Sequence, residues 1–312
     1  MEALEKEGIP RNTDRSTAWG VNAYKAWQKH RNAGVTDPSK LVPDLNSDVS
    51  EERLNFWLIR FIMEINRKDG SPYPAYTIKL LCAAIQRHLR TACNRPEISL
   101  FESPKFAAFK RIMDSKMKRH NKQGIHLHKK QAQPLTPDHE SILWEKGVFN
   151  LLTGRGVQNA VYFYTSKIYG LRARDEHYNL RCNQFTLGSD TTGDYVRYYG
   201  KVCKNNQGGL QTSGKVQFKN IMQYAQRENP RCYVRLMGRY LRALGFEGWL
   251  YRRPMASTFL GELKYSKQRL GIHQFETFMQ RMMKEAGIEG YFTGHSGKVN
   301  IYVELFISTD IY

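Results

Sequence analysis

The sequence lacks the cysteine spacings and the long apolar runs that mark several large classes of protein. Its five cysteines are scattered and none forms a Cys-x-x-Cys pair, so the pattern predicts neither a disulfide framework nor a zinc site. No apolar run is long enough to cross a bilayer. The first seven residues are acidic and hold no apolar core, unlike a signal peptide. We therefore expect a protein of a reducing, intracellular compartment with no membrane span.

Acidic side chains are scarce relative to basic ones. Of the 312 residues, 48 are Lys or Arg and 29 are Asp or Glu, which gives a formal net charge of +19. The excess is spread along the chain, because residues 1–133 carry a net charge of +10 and residues 134–312 carry +9. This distribution favours a long polyanionic partner, most often nucleic acid and sometimes an acidic membrane. The alternative is a basic protein whose charges are simply solvated.

The chain is long enough for about two domains with real cores. Apolar periodicity predicts four helices in the first half, beginning near Thr13 or Asp14, near Ser50, at Tyr76 and after Pro104. Their predicted inward positions are Trp19, Ala23, Tyr24, Trp27, Leu54, Trp57, Leu58, Phe61, Ile62, Ile78, Leu81, Cys82, Ile85, Leu89, Phe106, Phe109, Ile112 and Met113. Their spacing alone accounts for these residues as core, without a ligand-binding role.

A basic, polar stretch at 118–135 is interpreted as an interdomain linker. It could follow a DNA backbone as a strap, or it could be an ordinary solvated linker. His120, His126 and His128 lie in this stretch, but no Cys, Asp or Glu accompanies them at metal-ligand spacing. The predicted domains are therefore a helical domain at 1–117, the linker at 118–135 and a second domain at 136–312.

The second half changes from a helical period to a strand period and back. Thr136 and Pro137 predict a helix start, since Thr is a common N-cap and Pro is tolerated in the first turn. Further helices are predicted around 142–149, 157–169, 234–244, 275–286 and 295–306, and strands at 185–188, 195–199 and 215–218. The predicted fold class is mainly α with a small antiparallel sheet: an all-α domain followed by an α+β domain.

Four basic or imidazole positions in the second domain could act on a phosphate. Arg172 follows a glycine at a predicted helix start, where a guanidinium and backbone N–H groups could bind phosphate together. Lys204 lies in a Gly- and Asn-rich segment typical of an exposed hairpin tip. His295 and Lys298 are three residues apart, so on a helix they would share one face.

Each of these positions also has a purely structural interpretation. Arg172 could form an ion pair with Asp175 or Glu176, and His295 could be a hydrogen-bonded core residue. Both interpretations stay open on the residues alone.

Nine segments carry a family resemblance by their number and order. They are IPRNT at 9–13, WGVN at 19–22, LNFWL at 54–58, KDGSPYP at 68–74, KQAQPLTP at 130–137, LWEKG at 143–147, GLR at 170–172 with EH at 176–177, KNNQGG at 204–209 and HSGK at 295–298. Together they resemble the tyrosine recombinase (phage-integrase-like) superfamily. The resemblance is closer still to its Crypton-derived branch, found in crypton transposons, in MYM-type zinc-finger proteins and in a related glutamine-rich protein.

The resemblance implies a helical, SAM-like core-binding domain and a recombinase-like catalytic domain that clamp duplex DNA. In this family a tyrosine attacks a phosphodiester, two arginines stabilise the developing charge, and a lysine protonates the leaving 5′ oxygen. On that pattern Arg172 corresponds to the first arginine, Lys204 to the hairpin lysine, and His295 to the histidine of a His-x-x-Arg motif. Neither metal nor other cofactor is implied.

The sequence departs from the family pattern at two points. Lys298 stands where the second arginine belongs, and a lysine lacks the planar two-pronged donor pair. Neither Tyr302 nor Tyr312 has the spacing of the nucleophile, so we expect a catalytic domain that is incomplete at its C-terminus. The four phosphate-binding positions would then be relics of an active site, in a domain that binds double-stranded DNA without cutting it.

The remaining expectations concern contacts, location and alternatives. The predicted DNA contacts are Arg119, Lys122, Lys129, Lys130, Arg174 and Lys201. The predicted partner is double-stranded DNA, with self-association on it and no membrane, and the basic run at 116–119 indicates the nucleus. Two alternatives remain: an active recombinase whose nucleophile is missing from this sequence, and a protein-interaction scaffold.

Overall fold

A computed structural model describes residues 8–125, 131–171, 174–200, 218–226 and 228–296. The chain divides into two units, Met1–Lys129 and Lys130–Tyr312. Within the described ranges, no helix is both long enough and apolar enough to span a bilayer. The structure is mainly helical with small antiparallel sheets, which confirms the predicted fold class at that level.

Unit 1 consists of helices in the part that the structure describes. They are α1 (Arg11–Asn32), α2 (Glu51–Glu64), α3 (Ala75–Thr91) and α4 (Ala107–Lys122), with 3₁₀ turns at Pro38–Lys40 and Pro104–Phe106. Helix α2 starts next to Ser50 as predicted, and Ser50 caps it, because its hydroxyl accepts the Arg53 N–H. The predicted cap of α1 is wrong: the helix begins after Pro10, whose carbonyl accepts the N–H groups of both Thr13 and Asp14.

The predicted inward face of unit 1 is confirmed over most of its length. Buried residues from all four helices form one apolar cluster, with Tyr24 and Phe61 among the fully buried side chains. Trp19 and Ile112 were wrongly assigned to the interior, since they are 40% and 36% exposed. Trp19 instead contacts the edge of the Tyr73 ring at 6.2 Å between centroids.

The predicted linker begins too early, because α4 continues to Lys122. The last two turns of α4 bury two polar side chains, Lys116 and His120, four residues apart on one face. The Lys116 ammonium donates to two carbonyls at the end of α2, and His120 Nδ1 donates to the Tyr73 carbonyl at 2.9 Å. Apolar periodicity misses this segment because hydrogen bonds hold its inward face.

Unit 2 alternates helices with two small sheets. Its elements are α5 (Pro137–Glu145), α6 (Gly154–Tyr169), α7 (Asp175–Tyr178), β1 (Phe185–Asp190), β2 (Gly193–Tyr199), β3 (Asn220–Tyr224), α8 (Tyr233–Leu244), β4 (Arg252–Met255), β5 (Lys264–Arg269) and α9 (Gln274–Glu285), with a 3₁₀ turn at Cys182–Gln184. Strands β1, β2 and β3 form one antiparallel sheet in that order, and β4 pairs with β5. Thr136 caps α5 as predicted, in a reciprocal capping box with His139.

Several boundaries in unit 2 differ from their predictions. The first two strands were predicted at 185–188 and 195–199, but β1 and β2 pair as far as Asp190 and Gly193, so only Thr191 and Thr192 connect them. The third strand starts at Asn220, and of the predicted 215–218 only Phe218 is described. Helix α5 begins at Pro137 and ends before Gly147, whose positive φ of 70° stops it. The β4–β5 hairpin was not predicted, because both strands are short and rich in basic residues.

Helix α6 lies at the centre of unit 2. Thirteen of its sixteen residues are buried, so it is covered on every side rather than on one face. Its neighbours in the core include the fully buried phenols Tyr240 and Tyr251, beside Tyr162 of α6 itself. Because α6 is enclosed along its length, only its two ends are open to form sites.

Candidate functional site

The structure describes only part of the predicted site. Of the four phosphate-binding positions, Arg172, Lys204 and Lys298 lie outside the described residues, and His295 lies within them. Of the predicted DNA contacts, Lys129, Lys130 and Lys201 are outside and Arg119, Lys122 and Arg174 are inside. The site is therefore built from the described residues on either side of these positions.

The carboxyl end of α6 leads directly to the predicted first arginine. Gly170 ends the helix in the left-handed conformation, with φ 56° and ψ 36°, which a residue with a Cβ adopts at a cost. Leu171, the next residue, is buried in the core of unit 2. The turn therefore fixes where the chain leaves α6 immediately before position 172.

Buried His177, on α7, holds the chain that follows position 172 against α6. The Ser166 hydroxyl donates its proton to the Tyr162 carbonyl at 2.8 Å, so His177 Nε2 must carry a proton and donate to Ser166 Oγ at 3.0 Å. His177 Nδ1 then accepts from the Tyr251 hydroxyl at 3.1 Å. Burial, with a smaller contribution from nearby Lys219, lowers the pKa of His177 to about 3. The imidazole is therefore neutral, and it acts as a positioning group inside the core.

Lys219 is a basic group of this region that the sequence reading missed. Its ammonium donates to the Tyr169 carbonyl at 2.9 Å, at the negative end of the α6 dipole. Its own carbonyl accepts the Gly200 N–H at 2.7 Å, which closes the β2–β3 connection at its base. The described residues that flank Lys204 therefore meet the helix end that precedes Arg172. No sequence signal distinguishes Lys219 from other exposed lysines.

Arg174 has a partner that reduces its availability to DNA. It has an unusual positive φ of 73° and forms a 2.6 Å ion pair with Glu276 on α9. Both side chains are 40% exposed. Such an exposed pair contributes little stability, so a phosphate could replace the carboxylate.

His295 lies in an exposed turn at the end of the described chain, so the alternative that it is a core residue is wrong. Its backbone N–H donates to Thr293 Oγ1 at 3.2 Å, and the Ser296 hydroxyl accepts the Thr293 N–H. Phe292 anchors the turn by contacting the His139 ring of α5. Among the described residues, no hydrogen bond or ion pair joins the His295 side chain to the end of α6.

Unit 1 presents its own basic surface on α4. Arg111, Lys118, Arg119 and Lys122 are exposed there, and of these Lys118 forms an ion pair with Asp114 at 2.7 Å. Arg119 and Lys122 were predicted as DNA contacts. Their position in the last turn also allows the plainer role of favouring the helix dipole.

No metal site accompanies these groups in the described ranges, where no cluster of three or more His, Cys, Asp or Glu side chains could hold an ion. What the described arrangement offers is cationic groups around a helix end and along α4. That chemistry suits the binding of phosphate oxygens.

Comparison with known proteins places the similarity in both units. Residues 15–120, about a third of the chain, match the family model for the QRICH1 domain. The chain is 26% identical over 263 residues to the mouse zinc finger MYM-type protein 3, which covers 74% of this chain and 18% of that protein. It is 25% identical over 256 residues to the human zinc finger MYM-type protein 2, covering 72% of this chain and 17% of that protein. The expected similarity to MYM-type zinc-finger proteins is confirmed, and the chain spans less than a fifth of their length.

Proposed function

We propose that this chain binds double-stranded DNA through a fold derived from a tyrosine recombinase, and that it acts in the nucleus. The observation that carries the proposal is the charge of the two units. Residues 1–129 have a net charge of +9 and residues 130–312 have +10. A protein that contacts one long polyanion with both units is expected to carry positive charge on each of them. A protein that binds through a single basic tail would carry its excess charge in one unit only.

The relatives support a DNA-associated role. Their names describe zinc-finger proteins, a class in which zinc modules commonly contact nucleic acid. Because the match covers less than a fifth of those proteins, DNA binding is proposed for the matched region itself.

The geometry of unit 2 supports descent from a recombinase. The segments that resemble the family's arginine and lysine motifs are flanked by described residues that meet at one helix end, through the contact of Lys219 with Tyr169. A single phosphate bound there could contact cations from both segments. Lys298 replaces the second arginine, so we expect at most weak stabilisation of a pentacovalent phosphate and no strand cleavage.

The first test measures binding of the full chain to a random-sequence duplex by fluorescence anisotropy over a salt series. We expect the logarithm of the affinity to fall linearly with the logarithm of salt concentration, with a slope that reports several phosphate contacts. Affinity that is absent or independent of salt would contradict DNA binding and favour the scaffold alternative.

A charge-matched pair of variants locates the interface in unit 1. Arg119→Glu/Lys122→Glu should weaken binding about tenfold or more and flatten the salt slope. The control Lys25→Glu/Lys29→Glu makes the same charge change on exposed positions of α1 and should have a smaller effect. Equal losses in both variants would show a diffuse charge effect without an α4 interface.

A separate assay addresses cleavage. The full chain is incubated with a nicked duplex and analysed under denaturing conditions for a covalent protein–DNA adduct. We expect none, and a stable adduct that disappears in Arg172→Ala would contradict the proposed absence of strand cleavage.

A further inference from the structure

The amino end of α6 opens into a cleft lined by four arginines. The cleft has a volume of about 830 Å³, and Arg155, Arg253, Arg269 and Arg281 line it. Its other described lining residues are neutral, so no carboxylate faces these guanidinium groups from within the cleft. A concave surface with this concentration of positive charge attracts an anionic ligand.

Contacts orient two of these arginines, Arg155 and Arg269. Arg155 pairs with Glu285 at 2.7 Å, at the edge of the cleft. Arg269 lies between the rings of Tyr178 and Trp249, which orients its planar group. Burial, with a smaller contribution from the neighbouring Arg155, lowers the pKa of Arg281, and the Glu285 carboxylate offsets only part of this effect. A bound carboxylate would relieve the repulsion between Arg155 and Arg281.

An apolar patch adjoins the cleft. Its members are all exposed: Leu151 (37%), Leu152 (49%), Met255 (51%), Phe259 (71%) and Leu260 (84%). Met255 belongs to both surfaces, because it also lines the cleft. Single exposed apolar residues need no explanation, but five on adjacent segments mark an interaction surface.

Two hydrogen bonds hold the patch together. The Gly261 N–H donates to the Leu152 carbonyl at 3.2 Å, which joins the β4–β5 connection to the segment before α6. Arg239 of α8 donates to the Gly261 carbonyl at 2.6 Å. The loop that carries the apolar side chains is therefore anchored before a partner binds. Binding then costs less conformational entropy.

The patch and cleft lie at the opposite end of α6 from the proposed DNA site. Helix α6 has sixteen residues, which separate its two ends by about 24 Å at 1.5 Å per residue. The cleft and the contact of Lys219 with Tyr169 therefore lie at different ends of one helix.

We propose that the arginine cleft and the adjoining apolar patch together bind an acidic peptide segment with apolar side chains, supplied by a partner protein. Carboxylates of the peptide would pair with Arg253, Arg281 and Arg155, while its apolar side chains would cover Phe259 and Leu260. Charge complementarity selects the acidic partner. The apolar patch argues for a peptide over duplex DNA, whose phosphate backbone offers no aliphatic side chains to cover it.

The test uses the full chain and three fluorescein-labelled peptides of equal length. The first alternates Glu or Asp with Leu and Phe, the second replaces its acids by Gln and Asn, and the third replaces its apolar residues by Ser. We expect the first peptide to bind at least about tenfold more tightly than either of the others, because both kinds of contact are needed.

Matched variants locate the site on the protein. Phe259→Ser/Leu260→Ser and Arg253→Glu should each weaken binding of the first peptide about tenfold. The controls Phe218→Ser and Arg242→Glu change an apolar residue that is 62% exposed and an exposed arginine elsewhere in unit 2, and should leave the affinity unchanged.

Three results would overturn the proposal. Equal affinity for the acidic peptide without apolar residues would reduce the site to general polyanion binding. Equal loss in the controls would remove the assignment to this surface. A loss of duplex DNA affinity in Phe259→Ser/Leu260→Ser, with peptide affinity unchanged, would make the patch a DNA contact.

Discussion

Lys116 of unit 1 and His177 of unit 2 are both buried basic side chains, and they are accommodated in opposite ways. In unit 1, Lys116 is 7% exposed and its ammonium donates to the carbonyls of Ile62 at 2.5 Å and Met63 at 3.1 Å. In unit 2, His177 is fully buried and neutral, with one donated and one accepted hydrogen bond. Lys116 is thus held as an interior cation, whereas the His177 ring is buried without a charge.

The difference follows from the ordinary pKa of each group. The ordinary pKa of histidine is about 6.5, so the ring loses its proton at little cost at neutral pH and can be buried in its neutral form. The ordinary pKa of lysine is about 10.4, so removing its proton at neutral pH costs several kcal/mol. A buried lysine therefore stays charged and requires hydrogen-bond acceptors. The last carbonyls of α2 supply them, because they lack partners within the helix and lie at its negative end.

The largest expected effect on stability comes from removing the neutral ring of His177. His177→Ala leaves a cavity and orphans the Tyr251 hydroxyl and Ser166, so unit 2 should lose about 3 to 4 kcal/mol of stability. Hydrogen-exchange mass spectrometry should show lost protection in α6 and α8, with unit 1 unaffected. The control His273→Ala removes a histidine that is 82% exposed and should change little.

The second effect is the loss of the interior cation. Lys116→Met keeps the length of the side chain but leaves two carbonyls without a donor, so unit 1 should lose about 2 kcal/mol. The loss should appear as faster amide exchange in α2 and α4. Lys118→Met, at a side chain that is 77% exposed, is the matched control. Equal effects from the two would mean that the buried ammonium contributes nothing.

The third effect is a pH dependence of the stability of unit 2. The pKa of His177 is about 3 in the folded chain and about 6.5 when unfolded, so between these values the unfolded state binds more protons. Stability of unit 2 should therefore fall with decreasing pH, by about 2 kcal/mol from pH 7 to pH 5. His177→Phe should flatten this dependence of the unfolding midpoint. An unchanged slope would refute the neutral buried ring.

The smallest effect isolates one hydrogen bond. Ser166→Ala removes the acceptor of the His177 Nε2 proton and should cost unit 2 about 1 kcal/mol in urea unfolding. The pH dependence should persist, because the ring stays buried. Ser115→Ala, at an exposed position of α4, should cost less than about 0.5 kcal/mol.

The sequence predicted the parts of the fold that apolar spacing determines. The inward faces of α2 and α3 follow the helical period. Thr136 marks the start of α5 by its side-chain chemistry. The end of α4 was missed because Lys116 and His120 read as solvated charges until their acceptors are known. These acceptors come from residues more than forty positions away in sequence.

The candidate sites divide in the same way. Arg172, Lys204, His295 and Lys298 come from local motifs, and the relationship of the first three to a recombinase active site remains a prediction. Lys219 and the arginine cleft depend on tertiary contacts between separate elements. Arg253 and Arg281, for instance, are 28 positions apart, and no local pattern connects them.

The tyrosine-rich core around α6 gives unit 2 an optical signature. Burial raises the pKa of the Tyr162, Tyr240 and Tyr251 phenols above the ordinary value for tyrosine. Exposed phenols in general ionise near about pH 10. In an alkaline titration, tyrosinate absorbance should therefore rise in two stages, and the later stage should coincide with unfolding of this core. Buried Tyr24 would add a small late signal from unit 1. The chromophores are native, so this measurement follows the two cores without any label.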